Sequence, residues 1–325
     1  MTARARATLA AGVLVAAIAA AGCIGAASSK ASRVEARDVS FTSGGYRLVG
    51  TLTTSADGPI RAGVLIISGS GPIDRDGRSS AVPSLPPVYR LWADRLGDAG
   101  FAVLRYDKRF ITHPNVDFGV FDEDAQIADA HAATERLRSL QALDGKKIFI
   151  IGHSEGGTLA PLVAGRARAI AGVVVINSVL FPVDELLLEQ LSAAPTVPKK
   201  TVPEVATLLA KIKDGSFPRG GLLLGAGADY WAQWIRYSTD APATLVKLPM
   251  PVLIVQCLND ETLPGPTLQR NLSILRDVAA RHRRADVREI PGHDHSGFAP
   301  GERTLSPRFI DPIVTWLTER ARAAD

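Results

Sequence analysis

Short runs of apolar residues recur along the chain, and each run is bounded by turn residues. They are rich in β-branched side chains, which favours strands that are buried on both faces of a sheet. The runs cover residues 64–68, 101–106, 147–151, 173–177, 252–256 and 287–290. An earlier run over 46–53 predicts an antiparallel leading strand.

Helical spacing separates several of these runs. Between residues 122 and 140, apolar positions recur every three or four residues behind an acidic first turn, which predicts an amphipathic helix. Near the C-terminus, Asp311 is a candidate side-chain cap and Pro312 a first-turn residue of a final helix. Strands that alternate with helices predict the α/β class, with a mostly parallel central sheet flanked by helices.

The connection between residues 180 and 247 is far longer than an ordinary strand-to-helix loop. It contains helical patterns of its own over 184–191 and 203–212, so we interpret it as a helical cap insertion. Its large apolar residues are expected mostly to pack against the main domain, and as an alternative to line an apolar cleft. They are Leu186, Leu187, Leu188, Leu222, Leu223, Leu224, Trp231 and Trp234.

The first residues have the layout of a signal peptide. Arg4 and Arg6 precede an apolar run over 7–21, which is shorter than the roughly 18 apolar residues of a membrane-spanning helix. Residues 20–23 resemble a bacterial lipobox, in which Cys23 would carry lipid and anchor the protein to a membrane. The alternative is a plain secretory signal cleaved near residue 26 or 27. Both interpretations predict export, as a cell-envelope lipoprotein or as a secreted or periplasmic protein.

These features divide the chain into a predicted signal peptide, a linker, a core domain in two pieces and the cap. Their boundaries are 1–22 for the signal peptide, 23–36 for the linker, 37–179 and 248–325 for the core, and 180–247 for the cap. A chain of 325 residues, 46% hydrophobic and 22% charged, can bury such a core. Besides Cys23, the only cysteine is Cys257, so no disulfide framework is expected, and we interpret Cys257 as a buried apolar residue.

The net charge of +4 does not indicate a nucleic-acid partner. The arginines are dispersed among acidic residues and are not gathered with aromatic residues into a basic patch. We therefore expect no nucleic acid among the partners. The sequence carries no indication of the oligomeric state.

The strongest candidate for chemistry is Ser154. A predicted strand ends at Ile151, the turn 152–156 reads Gly-His-Ser-Glu-Gly, and a helix is predicted from Gly157 to about Arg166. A G-x-S-x-G motif in this strand–turn–helix context is typical of a nucleophilic serine on a strained turn. The hydroxyl needs a histidine as base, and that histidine needs a carboxylate to orient it.

The order Ser, acid, His narrows the choice of partners. Asp260 follows the predicted strand 252–256 and is the preferred acid, with Glu261 as its competitor. Of the six histidines, His113, His131 and His153 precede the acid, and His282 lies among arginines, where we interpret it as part of a solvated helix face. His293 and His295 then remain as candidates for the base. A metal site at this His-x-His pair is disfavoured, because no further cluster of metal ligands accompanies it.

An oxyanion formed at the serine needs preorganised N–H donors. Glu155, the residue after the nucleophile, is predicted to supply one from its backbone. The second is predicted to be the N–H of Ser70, in the loop 69–72 after the strand 64–68. The alternative interpretation of that loop is a glycine-rich turn with no further role.

With these residues placed, the mature chain resembles bacterial secreted and periplasmic esterases of the α/β-hydrolase superfamily, near the dienelactone-hydrolase-like group. The resemblance is carried by the oxyanion loop 69–76, the Tyr-Asp-Lys-Arg block 106–109, the turn 152–157 and the segment 237–245. It implies the α/β-hydrolase fold. In that family the last histidine of a Pro-Gly-x-x-His turn is the base, which implies His295.

The chain departs from the family pattern in two places. Phe-Ile-Thr at 110–112 stands where relatives continue with Gly-x-Gly, and Ser68-Gly69 replaces the usual His-Gly of the oxyanion loop. Because backbone N–H groups act there, catalysis is expected to survive, with an altered acyl pocket.

The resemblance implies a serine hydrolase that cleaves carboxylic esters of small molecules through an acyl-enzyme on Ser154. His295 would act as base and then acid, Asp260 would orient it, and no cofactor or metal would be needed. A peptidase or thioesterase with the same triad is one alternative. A surface-anchored binding protein that has lost the reaction is the other.

Overall fold

The computed structural model of the protein describes residues 33–79, 85–113 and 121–323. The predicted signal peptide and Cys23 lie outside these ranges, so export and lipidation stay predictions. Within them, every helix is too short or too polar to cross a membrane.

An eight-stranded sheet forms the centre of the described chain, and a two-stranded hairpin lies in the predicted cap. In chain order the strands are β1 (Val34–Ser43), β2 (Tyr46–Ser55), β3 (Ala62–Ile67), β4 (Phe101–Tyr106), β5 (Ile148–His153), β6 (Ile170–Ile176), β7 (Leu222–Leu223), β8 (Ala226–Gly227), β9 (Val252–Cys257) and β10 (Ala285–Ile290). The sheet order is β1-β2-β4-β3-β5-β6-β9-β10. The pairs β1–β2 and β2–β4 are antiparallel, and the remaining pairs of this sheet are parallel.

Helices cover both faces of this sheet. They are α1 (Val88–Asp98), α2 (Arg109–Thr112), α3 (Glu123–Arg138), α4 (Glu155–Arg166), α5 (Val183–Ala193), α6 (Thr201–Lys213), α7 (Ala228–Lys247), α8 (Gly265–Arg281) and α9 (Pro307–Arg322). One core contains residues of α3, α4, α7 and α8, and a second core, on the opposite face, contains residues of α1 and α9. This arrangement confirms the predicted fold class.

The central strands are apolar throughout because each of their faces is covered. In β3, Leu65 belongs to the first core, whereas Val64 and Ile66 belong to the second. Every residue of β3, β4, β5 and β9 is buried. Side chains that alternate between two covered faces leave no polar face, which is why these strands read as continuous apolar runs. The edge strand β1 begins at Val34, inside the segment predicted as a linker.

The segment between β6 and β9 contains α5, α6, the β7–β8 hairpin and α7. The helical patterns predicted over 184–191 and 203–212 correspond to α5 and α6. The 20-residue helix α7 was not predicted, and it contains Pro242. Proline removes one helical hydrogen bond and disfavours the α conformation of the residue before it. The sequence around Pro242 therefore does not indicate a continuous helix. Burial of Tyr237, Ala241 and Leu245 on one face offsets that cost.

The predicted start of the last helix is wrong by five residues. Helix α9 begins at Pro307, and Pro312 lies inside it. Phe309 and Ile310 are fully buried in the second core, and this burial extends the helix toward its N-terminus. Asp311 does not cap the helix and instead forms a 2.8 Å ion pair with Arg95 of α1.

Two glycines of α4 provide a matched test of this packing. A Cβ atom on Gly156 would lie 2.3 Å from the carbonyl oxygen of Ile67, whereas one on Gly165 would lie 3.9 Å from its nearest neighbour. We expect Gly156→Ala to lower the free energy of unfolding by about 3 kcal/mol. Gly165→Ala should raise it by up to about 1 kcal/mol, since alanine is the better helix former. Urea unfolding measures both, and equal effects would contradict the packing at Gly156.

Candidate active site

Ser154 occupies a strained turn between β5 and α4. Its φ of 55° and ψ of −123° lie in a region that residues other than glycine rarely adopt. The turn is held because the Ser154 N–H donates to the Ile176 carbonyl and its carbonyl accepts from the Gly157 N–H, both at 2.9 Å. A Cβ on Gly152 would lie 2.1 Å from the Gly156 oxygen, so glycine is required for strand and helix to approach this closely.

Asp260 and His295 meet at the carboxyl ends of neighbouring parallel strands. Asp260 follows β9 and His295 follows β10, and the imidazole Nδ1 lies 2.9 Å from Oδ2 and 3.0 Å from Oδ1 of the carboxylate. Thr262 donates to Asp260 from its N–H at 2.9 Å and from its hydroxyl at 2.7 Å. Nδ1 therefore carries the proton toward the carboxylate, and Nε2 is the basic nitrogen of the neutral ring.

Burial and charge act in opposite directions on the pKa values of this pair. Burial raises the pKa of the Asp260 carboxyl, but His295 and the Thr262 donors outweigh it and hold that pKa below its usual value. Burial lowers the pKa of His295, but Asp260 outweighs it, with smaller contributions from Glu261 and Asp294, so that the pKa is raised. The site is therefore built to accept a proton on the imidazole.

The alternative residues from the sequence have other positions. Glu261 accepts a 3.0 Å hydrogen bond from the backbone N–H of His295, so it supports the loop and does not contact the ring. His293 is buried, and its Nδ1 donates to the Pro291 carbonyl at 2.8 Å. Among the described residues, no group of three or more histidine, cysteine, aspartate or glutamate side chains is placed to hold a metal ion.

The interpretation of His282 as a solvated residue is wrong. Helix α8 ends at Arg281, and the His282 side chain is buried against the segment that leads into β9. There Nε2 donates to the Leu248 carbonyl at 2.9 Å, and Nδ1 accepts from the Arg284 N–H at 3.0 Å. The neighbouring arginines suggested that His282 is exposed. Because the helix ends before His282, its side chain does not follow the direction of the exposed helix face.

The two residues predicted to donate backbone N–H groups to the oxyanion line the same cleft as Ser154. A Cβ on Gly69 would lie 3.1 Å from the Ser154 Cβ, so the loop that contains Ser70 runs directly beside Ser154. The Gly69 N–H donates to the Tyr89 hydroxyl at 2.7 Å. Within the described ranges the N–H groups of Ser70 and Glu155 have no such acceptor, which leaves them for a ligand.

A buried polar cluster on the far side of Ser154 was missed by the sequence reasoning. Lys108 donates to the Glu155 carboxylate at 2.6 Å, and Tyr230 of α7 donates a short hydrogen bond to its other oxygen. Burial first, and the charge of Glu155 second, raise the pKa of the neighbouring Glu123 carboxyl well above its usual value. The buried Lys108 ammonium is thus paired directly with the Glu155 carboxylate, and the surroundings shift the adjacent Glu123 carboxyl toward its neutral form.

This cluster explains part of the Tyr-Asp-Lys-Arg block at 106–109. Lys108 reaches α4, and Arg109 forms a two-point ion pair with Asp129 of α3 at 2.7 and 2.8 Å. Phe110, at the first of the positions where the family pattern has glycine, belongs to α2 and lines the cleft. No local pattern pointed to Glu155 as the partner of Lys108, since the two are 47 residues apart.

The cleft in front of Ser154 has a volume of about 530 Å³ and also contains His295 in its wall. Most of its wall is apolar and comes from both the cap and the core. Of the cap residues considered from sequence, all except Leu188 and Leu223 line it. Trp231 and Trp234 stack with ring centroids 5.7 Å apart and give the cap side a rigid aromatic surface. Among the described residues, no hydrogen bond joins the Ser154 hydroxyl to His295.

Comparison with known proteins identifies the class. Residues 64–305 match the family described as the alpha/beta hydrolase family, and the chain belongs to that family. Esterase EstD of Thermotoga maritima is 30% identical over 200 residues, which are 61% of this chain and 46% of that protein. The chain thus spans less than half of the length of that relative.

Solved structures share the fold at low sequence identity. Est1E from Butyrivibrio proteoclasticus matches with a TM-score of 0.56 and 15% identity, covering 88% of this chain and 99% of its own. A proline iminopeptidase from Mycobacterium smegmatis matches with a TM-score of 0.60 and 14% identity, covering 89% and 100%. At these identities the likeness concerns the fold alone.

The raised pKa of His295 sets the expected pH dependence of Ser154. The imidazole accepts a proton only when it is neutral, so reactivity falls as the pH drops through this pKa, above the value of about 6.5 for an ordinary histidine. Glu261→Gln keeps an acceptor for the His295 N–H but removes a charge, so it should move this loss to lower pH. The rate of fluorophosphonate labelling measured against pH checks both expectations.

Asp277→Asn is the matched control. Asp277 pairs with Arg281 on the exposed face of α8 and is not among the groups that act on His295. Its removal should leave the pH profile unchanged. A profile of Glu261→Gln that coincides with the wild type would contradict the charge assigned to that residue.

Proposed function

We propose that this protein is a carboxylic-ester hydrolase that works through an acyl-enzyme on Ser154. The observation that carries the proposal is geometric. A strained serine, a histidine paired with Asp260, and two residues whose backbone N–H groups have no acceptor among the described residues line one cleft. Membership of the alpha/beta hydrolase family and the similarity to a protein named as an esterase support the same chemistry.

Acylation begins when His295 Nε2 takes the proton of the Ser154 hydroxyl as its oxygen attacks the ester carbonyl carbon. The carbonyl electron pair moves to oxygen, and the N–H groups of Ser70 and Glu155 donate to the resulting oxyanion. The intermediate then collapses and breaks the carbon–oxygen bond to the alcohol, and the imidazolium gives its proton to the leaving oxygen. The alcohol departs and the acyl group stays on Ser154.

Deacylation repeats these steps with water as the nucleophile. His295 removes a proton from water as its oxygen attacks the acyl carbon, and the second intermediate expels Ser154, which recovers the proton. The products are a carboxylic acid and the free enzyme. Asp260 stabilises the imidazolium in both halves, in agreement with the raised pKa of His295. The reaction as written uses no cofactor.

The walls of the cleft favour a small ester with an apolar acyl or alcohol group. A volume of about 530 Å³ is in the range that holds a molecule of drug-like size. Among the described residues that line the cleft, the charged side chains beside Ser154 are already paired, so these residues offer no unpaired charge to an ionic substrate. Leu186, Leu187 and the two stacked tryptophans supply apolar surface instead.

Removal of the Ser154 hydroxyl should abolish turnover. We expect Ser154→Ala to lower kcat for p-nitrophenyl butyrate by at least about 10³-fold, and to prevent fluorophosphonate labelling. Ser70→Ala is the matched control, because it removes a hydroxyl from the same cleft but keeps the backbone N–H, and its activity should stay within a few-fold of the wild type. A wild type that neither labels nor turns over would favour a binding protein.

Acyl-chain length tests the apolar cleft. Along p-nitrophenyl esters from acetate upward, each added methylene should raise kcat/KM by up to about fourfold, since burying one contributes about 0.8 kcal/mol. The rise should stop when the cleft is filled. The matched succinate half-ester, with a terminal carboxylate, should react much more slowly than the pentanoate ester. Equal rates for these two esters would contradict the proposal that the cleft binds apolar groups. Matched thioester and amide substrates, measured in parallel, show which type of acyl bond the protein prefers.

A further inference from the structure

A continuous hydrogen-bonded connection runs beneath Ser154 from the oxyanion loop to the loop of the base. The Gly69 N–H lies 2.7 Å from the Tyr89 hydroxyl, which lies 2.9 Å from His153 Nδ1. On its other side, His153 Nε2 lies 2.9 Å from the carbonyl oxygen of His295. His153 is the residue directly before the nucleophile, so the connection passes next to Ser154.

The two ends of this connection fix the direction of every hydrogen bond in it. A peptide N–H can only donate, so the Tyr89 hydroxyl accepts from Gly69 and its own proton is free for His153 Nδ1. A carbonyl can only accept, so His153 Nε2 carries the proton that it donates to His295. The His153 ring is thereby defined as the neutral tautomer protonated on Nε2. Burial, followed by the charge of His295, lowers the pKa of His153 to about 3, in agreement with a neutral ring.

The connection is excluded from solvent and packed by aromatic rings. Tyr89, Trp92 and His153 are all buried. The edges of Tyr89 and Trp92 meet the His153 ring at centroid distances of 5.7 and 5.3 Å, and the rings of His153 and His295 are 4.7 Å apart. A ring held on these sides cannot rotate to another partner without disturbing the core.

The carbonyl of His295 receives a second donor from the opposite side. Asn177, at the end of β6, donates to it from Nδ2 at 2.7 Å. The Asn177 oxygen in turn accepts from the Cys257 N–H at 2.7 Å, at the end of β9. Two donors on one carbonyl fix the backbone of the base, whereas the Asp260 contact fixes its ring.

We propose that Tyr89 and His153 are positioning residues that set the distance between the oxyanion donor and the base. The inference rests on the proposed function, because the Ser70 N–H and His295 Nε2 must reach the same tetrahedral intermediate. The buried His153 ring holds both loops: it reaches the loop of Gly69 and Ser70 through Tyr89, and it donates directly to the carbonyl of His295. A displacement of about 1 Å in such a constellation can lower turnover by about 10²-fold.

The first test removes one hydroxyl and keeps the ring. Tyr89→Phe leaves the Gly69 N–H and His153 Nδ1 without their partner, and we expect kcat for p-nitrophenyl butyrate to fall about 10- to 100-fold with KM within about threefold. The pH at which activity is lost should not move, because the Asp260 contact is intact. Tyr106→Phe, which removes another buried tyrosine hydroxyl, is the control and should keep kcat within about twofold.

The second test separates a positioning role from general packing. His153→Gln places an amide N–H where it can reach the His295 carbonyl, whereas His153→Leu cannot donate. We expect the glutamine variant to retain at least about tenfold more kcat than the leucine variant. The double variant Tyr89→Phe/His153→Leu should be no slower than His153→Leu alone, because both substitutions break the same connection.

A third measurement uses the wild type and does not depend on the folding of a variant. The ¹⁵N and ¹H NMR signals of the His153 ring should show one proton, on Nε2, throughout the range from pH 6 to 8. A doubly protonated ring, or a proton on Nδ1, overturns the proposal. So does a folded Tyr89→Phe variant with the kcat of the wild type. A wild type without esterase turnover overturns the proposed function itself, and the positioning role with it.

Discussion

The turn at Ser154 is the constraint on which the rest of the site depends. Gly152 and Gly156 have no Cβ atom, so β5 and α4 can approach more closely than any other residue would allow. In the tight turn that results, the consecutive residues 153, 154 and 155 face three different surroundings. His153 is buried beside Tyr89 and Trp92, Ser154 opens on the cleft, and the Glu155 side chain is buried on the cap side. One strained backbone conformation thus directs the proposed nucleophile, positioning group and oxyanion donor into three different surroundings.

Ionisable side chains are paired on each side of Ser154. Asp260 and His295 form one hydrogen-bonded pair, and Lys108 and Glu155 form the other, beside the Glu123 carboxyl, whose pKa is raised. Each buried charge has a partner within hydrogen-bond distance, which offsets the cost of its desolvation. The cleft between them can therefore be apolar and still lie next to four ionisable groups. In the proposed reaction, such an environment strengthens the interactions of the cleft with charge that develops on the substrate.

The cap contributes to this arrangement as well as to the cleft wall. Tyr230 extends from α7 to the carboxylate of Glu155, a residue that also lines the cleft. Movement of α7 would therefore be transmitted to the proposed oxyanion donor, Glu155, through one hydrogen bond. The aromatic residues that follow on α7 line the substrate side, so a single helix connects the apolar wall to the first turn of α4.

The sequence by itself determined the fold class, the turn at Ser154 and the order of its partners, because these depend on local periodicity and on glycine positions. The residues of the motif alone left both His293 and His295 open as the base, and the family resemblance favoured His295. The parallel pairing of β9 with β10 brings Asp260 to that ring. Tertiary contacts also decided the start of α9 and the burial of His282. The Tyr89–His153 connection joins Gly69 to His295, which are far apart in the sequence. Such a contact leaves no local sequence pattern, because it depends on which strands lie side by side in the sheet.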